Sequence, residues 1–169
     1  MNNENRVGKF LYFFPRLAAV AIFFCFVAIT VLSNFDIVEP YLYPLHMAQG
    51  KIRNVAPGII FGHYPHRDDV RALKRRGVAL DVSLLNLSLP QELVLHEQLK
   101  RNAAKEGIEV YSFPLSYLNL DSPENRDTVS RVVAFIRQNK GKTIYIHCYL
   151  GRHRVKVVED ELRSQGVIR

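Results

Sequence analysis

Only two cysteines occur among the 169 residues, Cys25 inside an apolar run and Cys148 inside a cluster of positive charge. Surroundings so different exclude a disulfide between them as the frame of the fold, and Cys148 is expected to be a free thiol. Internal repeats and low-complexity tracts are missing, which excludes a solenoid and a long disordered tract. No zinc spacing is present either: His63 and His66 in "HYPH" read as a turn before a helix, and His147, Cys148 and His153 add no zinc pattern, so no metal is expected. Acidic residues are also short, 16 against 23 Lys and Arg, for a formal charge of +7 and a pI near 9.6. That balance favours acidic partners: phosphorylated substrates, anionic lipid headgroups or nucleic acid. Charge alone does not choose among them.

Charge is missing altogether from residues 17–35, "LAAVAIFFCFVAITVLSNF", long enough to cross the hydrocarbon layer as a helix. Arg6, Lys9 and Arg16 precede the run, while Asp36 and Glu39 follow it. The positive-inside rule therefore puts residues 1–16 in the cytoplasm and the remainder on the other side, with the run as an uncleaved signal anchor. A cleaved signal peptide is the rival reading, with Val31 and Ser33 as small-residue positions, but the apolar core exceeds the usual length. A buried core helix is disfavoured because the run has no polar face. Residues 36–50, with two prolines and no clear period, read as a linker, and a single domain is expected over 51–169.

Within that domain, "KIRNVAPGIIFG" reads as two short strands around Pro57-Gly58, and residues 67–75 as a helix ending before Gly77. "VALDVSLL" has the aliphatic density of a buried strand, and Leu95, Leu99 and Ala103 give the following helix its period. Another strand, "IEVYSFPL", leads to a helix capped by Ser122 with Pro123 in its first turn, and "TIYIH" is the last strand. This alternation predicts an α/β fold, a mainly parallel central sheet flanked by helices, with ligands binding beyond the carboxyl ends of strands. Cys148 falls at such an end.

The stretch "HCYLGRHR" encloses that thiol between His147, Arg152, His153 and Arg154, a setting that favours the thiolate and suits a nucleophile or an anion site. From Cys148 to Arg154 the loop is just long enough to wrap one tetrahedral anion, with Gly151 free to take a positive φ and a helix starting near Arg154. The planar fork of Arg154 can hold two phosphate oxygens, as a lysine could not.

Strand, His-Cys-x-x-Gly-x-x-Arg, helix resembles the signature of the cysteine-dependent protein tyrosine and dual-specificity phosphatase superfamily, matched at all four fixed positions. "NVAPGIIFGHYPHRDDVRALKRRGVALDVSLL" is similar to the opening of its bacterial dual-specificity-like members, and the resemblance covers roughly residues 51–165. It implies Cys148 as nucleophile, Arg154 as the phosphate and transition-state clamp, Tyr149, Leu150, Gly151, Arg152 and His153 as the phosphate cradle, and His147 as a residue tuning the thiolate. It also implies hydrolysis of phosphate monoesters through a cysteinyl phosphate, with no metal or other cofactor and no nucleic acid partner. The family's general acid is an Asp on the loop after the preceding strand. Asp121 in "SYLNLDSPE" is nearest in spacing, with Asp127 as the fallback, and Asp121 also suits a helix cap.

Two departures stand out. Val155 follows the Arg where the family has Ser or Thr, and the helix "VKVVEDELRSQG" is the last element where relatives continue. Three function classes therefore stay open: a membrane-anchored phosphatase acting on a phosphoprotein or a phospholipid headgroup, a catalytically weak phosphate-binding module, and a membrane-tethered interaction domain.

Overall fold

The computed structural model describes residues 4–169; residues 1–3 of the predicted N-terminal segment lie outside the described residues. Helix α1 spans Glu4–Ser33. Its portion Pro15–Ser33 is long and apolar enough to cross a membrane, and none of it is buried against the rest of the chain. By length and composition it qualifies both as a span and as a signal sequence.

The segment expected as a linker folds into short helical pieces. Helix α2 covers Phe35–Val38, a 3-10 turn covers Glu39–Tyr41, and α3 covers Tyr43–Ala48. Pro40 and Pro44 sit in the first turns of the latter two, where a missing N–H costs nothing and the fixed φ favours helix. These pieces lie against the domain: Asp36 is 3.9 Å from Arg101, and Glu39 is almost fully buried.

The domain begins with β1, Arg53–Ala56, paired antiparallel with β2, Ile59–Gly62. Gly58, at a φ of 75°, makes the turn between them in a conformation a side chain would resist. The chain then alternates through α4 (Arg67–Arg75), β3 (Val78–Ser83), α5 (Pro90–Lys105), β4 (Glu109–Ser112), α6 (Pro123–Gln138), β5 (Thr143–His147) and α7 (His153–Ser164). The sheet order is β1-β2-β5-β3-β4, parallel except for β1. The expected α/β architecture is therefore the observed one.

Because helices cover both faces, β2, β3 and β5 are buried almost throughout, the polar Asp81, Ser83 and His147 included. One face carries Phe61, Leu80, Val82, Ile144 and Ile146 packed with α6 and α7 through Val129, Val132, Val158 and Leu162. The other carries Ile60, Val78 and Tyr145 packed with α4 and α5 through Val70, Leu73, Leu95 and Leu99. The central strand β5 runs between these two cores, so the residues that follow it leave from the best-supported point of the sheet.

Candidate functional site

Strand alternation sets the directions at the end of β5. Cys148 packs in the first core beside Leu84, Leu115 and Val155, and is 3% exposed. His147 turns to the opposite face, stacked on Tyr145 with ring centroids 5.6 Å apart and edge-on to Tyr64 at 6.1 Å. Its Nε2 lies 3.0 Å from the buried Asp81 carboxylate, although neither ring nitrogen is aligned for a hydrogen bond. The expectation that His147 acts on the thiolate from the strand end thus meets a ring that faces away from the sulfur, into the Tyr64, Tyr145 and Asp81 layer.

The loop from Tyr149 to Arg152 turns back into α7, and Gly151 takes a φ of 65°, as the sequence required. Space also demands glycine there: a Cβ on Gly151 would meet the Gly62 carbonyl oxygen at 2.6 Å. The loop's carbonyls are held from outside. Tyr64 N–H donates to the Tyr149 carbonyl at 3.1 Å, and Gly50 N–H donates to the Leu150 carbonyl at 2.7 Å. In a trans peptide the N–H points opposite to the carbonyl, so the amides of Leu150 and Gly151 are turned away from these flanking segments. Inward amides and a helix start at His153 together form the arrangement that favours an anion.

Arg154, 5% exposed, closes the site from the first turn of α7. Its guanidinium makes a two-pronged pair with Glu92, Nη1 to Oε2 at 2.7 Å and Nη2 to Oε1 at 2.6 Å, and Nη1 also donates to the Leu84 carbonyl at 3.0 Å. Burial opposes its charge, but the hydrogen bonds and charge of Glu92, with Cys148 beside it, raise its pKa further. The planar fork is therefore held in one orientation before any ligand arrives. Glu92 in turn accepts from the Asn86 backbone N–H. Sequence reasoning missed Glu92. Its only local sign is an acid in the first turn of α5, which the helix dipole explains by itself.

Cys148, Arg154, Tyr149, Leu150 and His153 line one cavity of about 210 Å³ with Glu92 and Tyr117. The Tyr117 ring lies 6.0 Å from the Arg154 guanidinium carbon. Arg152 is exposed and does not line this cavity. Asp121 is not brought to it either: it lines a separate cleft between α6 and α7 with Arg126, Ser130 and Asp160. The loop before α6 is stapled there by buried Asn125, whose side chain bonds the Ser116 backbone N–H at 2.9 Å and the Asn119 carbonyl at 2.7 Å. Ser122, not Asp121, caps α6, accepting from Asn125 N–H. Asp127 is exposed on α6 and paired with Arg131 at 3.0 Å.

No family model matches the chain, and no curated protein does. Solved structures do. A DUF442 protein of Shewanella putrefaciens CN-32, described as a candidate phosphatase, aligns with a TM-score of 0.58 over 73% of this chain and 77% of its own, at 19% identity. The core catalytic domain of the PP-IP phosphatase SIW14 from S. cerevisiae aligns with a TM-score of 0.53 over 69% of this chain and 66% of its own, at 21% identity. Tk-PTP in its active form aligns at 0.52 over 68% and 74%, also at 21% identity. The chain therefore shares its fold with these solved phosphatase structures.

Proposed function

We propose that this chain is a membrane-anchored phosphatase that hydrolyses phosphate monoesters through a cysteinyl phosphate, over a catalytic domain of residues 51–169. One observation carries the reading: a buried thiol at the end of the central strand and an arginine fork locked by Glu92 line the same small cavity. In the first step the Cys148 sulfur attacks phosphorus, the S–P bond forms, and the bond to the leaving oxygen breaks as that oxygen takes a proton. In the second, water attacks phosphorus and the thiolate leaves. Arg154 and the loop amides hold the phosphoryl oxygens in both steps.

The proton donor we assign is Asp121, on the same loop as Tyr117, which lines the cavity; to act there Asp121 must leave the cleft it occupies beside Arg126 and Asp160. Asp121→Asn should flatten the basic limb of the pH–rate profile and slow poor leaving groups most. An unchanged profile would remove Asp121 from the chemistry and leave Asp127.

The substrate is a phosphoprotein or a phospholipid headgroup. A fold neighbour is a PP-IP phosphatase, so the deciding assay sets para-nitrophenyl phosphate, a phosphopeptide, a phosphorylated lipid and an inositol phosphate side by side. Turnover of one of them beyond one equivalent per chain supports the reading, whereas vanadate binding without turnover supports a phosphate-binding module. For the anchor, a reporter fused after Arg169 should be active outside the cytoplasm, given Arg6, Lys9 and Arg16 before the apolar run. Cytoplasmic activity alone would reverse the orientation.

Val155 sets the expected kinetics. It is 1% exposed and packs in the same core as Cys148, so it offers the departing thiolate no hydroxyl. Cysteinyl phosphate should accumulate, giving a burst and then a slow steady rate. Val155→Thr keeps the shape that the packed position demands, and a hydrogen bond to charged sulfur is worth about 1.5–3 kcal/mol, or roughly ten- to a hundredfold in the steady rate. Rapid-quench kinetics with no burst, and no gain in the variant, would show that breakdown of the intermediate is not limiting.

A further inference from the structure

Beside the catalytic loop, but outside its cavity, Glu39 and His46 of one segment meet His66, which lies 20 residues beyond His46. Glu39 is 1% exposed, yet among the described residues no Lys or Arg pairs with its carboxylate. A buried carboxylate needs a compensating positive charge. What faces it is two imidazoles and a phenol: His46 Nε2 at 3.2 Å and His66 Nε2 at 3.6 Å from Oε1, and Tyr149, whose hydroxyl donates to the same oxygen at 3.1 Å.

We propose that Glu39, His46 and His66 form a binding site for a divalent transition metal ion of the zinc class. The three donor atoms lie within 4.8 Å of one another. With metal–nitrogen and metal–oxygen bonds of about 2.0–2.2 Å, a tetrahedral ion spaces its donors by about 3.3–3.5 Å. The Glu39 distances to the two imidazoles, 3.2 and 3.6 Å, already bracket that edge. His66 supplies an independent sign, since its Nε2 is shielded from solvent with no hydrogen-bond partner, 3.6 Å being too long for one. His46 Nε2 also lies 3.1 Å from the Glu39 carbonyl oxygen, so its proton must move to the other ring nitrogen or leave as the ion enters. Two imidazoles and one carboxylate suit zinc or cobalt rather than calcium or magnesium, which take oxygen ligands. Three protein ligands leave a fourth position for water.

The location gives the ion a task. Glu39 and His46 belong to the segment that follows the apolar helix, and His66 sits at the start of α4. Glu39 also holds Tyr149, and Gly50 in the same segment holds Leu150, both in the catalytic loop. A bound ion would fasten the segment leaving the membrane to the back of the phosphate cradle, so it should stabilise the domain as any ligand specific to the folded state does.

The test uses the full chain in detergent micelles carrying Cys148→Ser, which removes the buried thiol as a competing ligand. Titrated with Co²⁺, it should take up one ion per chain with the intense visible bands of a four- or five-coordinate site and no thiolate charge-transfer band. Zn²⁺ should displace the cobalt and raise the melting temperature. His66→Ala and Glu39→Gln should each weaken binding at least about tenfold, the loss typical when a metal's surroundings are disturbed. X-ray absorption of the zinc-loaded chain should count two imidazoles and oxygen, a readout that needs neither variant to fold. Absence of a cobalt spectrum and of a zinc-dependent melting shift, or binding undiminished in the Glu39→Gln, His66→Ala double variant, would overturn the site.

Discussion

Cys148→Ser is expected to abolish turnover while vanadate or phosphate still binds. The cradle is built from the backbone of residues 149–152 and from Arg154, and the carbonyls that orient it are held by Tyr64 and Gly50, none of which the substitution touches. Serine's hydroxyl fits where the smaller-radius oxygen replaces sulfur, but an alcohol is a far weaker nucleophile than the sulfur it replaces. The effect should therefore fall on the rate and not on affinity. Calorimetry with vanadate and a steady-state assay separate the two. Turnover surviving in the variant would remove Cys148 from the nucleophile's role, and loss of both binding and folding would return it to the core.

Arg154→Lys is expected to cost at least about 10²–10³-fold in kcat, the scale of removing one aligned transition-state donor. The charge is conserved, so a purely electrostatic role predicts little change. The geometry is not conserved. Arg154 uses one edge of its guanidinium on Glu92 and on the Leu84 carbonyl, and in the proposed reaction the rest of the rigid fork would take two phosphoryl oxygens. An ammonium cannot satisfy Glu92 and two phosphate oxygens with fixed directions. A loss below tenfold would contradict the account. Glu92→Gln probes the same edge from its partner. With both groups buried, it leaves an uncompensated charge and should destabilise the fold by about 3–5 kcal/mol in denaturant titration.

The strands and the loop that follows β5 were legible because their signals are local. "VALDVS" and "TIYIH" are rich in the aliphatic and β-branched residues of buried strands, and Gly151 had to be the turn residue among the five residues between Cys148 and Arg154. Glu92 and the Glu39, His46 and His66 cluster were not legible. Glu92 meets its arginine 62 residues later, and its own neighbourhood supplies a sufficient ordinary reason for an acid. Residues 36–50 read as a connector since two prolines interrupt any period, yet each proline starts a helical piece and together they bury Glu39. Packing against α5 and the loop, which no spacing within the segment encodes, decides that burial. Alternation also implied the direction of His147 once the strand was known to end there, but placing its ring depended on Tyr64 and Asp81, neighbours from other strands and loops.

The most direct measurement traps the intermediate. The purified chain is mixed with a phosphate monoester, quenched in acid within the burst, digested and analysed by mass spectrometry. The account predicts one phosphoryl group per chain on the Cys148 peptide, more of it than in the Val155→Thr variant and none in Cys148→Ser. An unmodified Cys148 peptide during active turnover, or a phosphoryl group on any other residue, would contradict it.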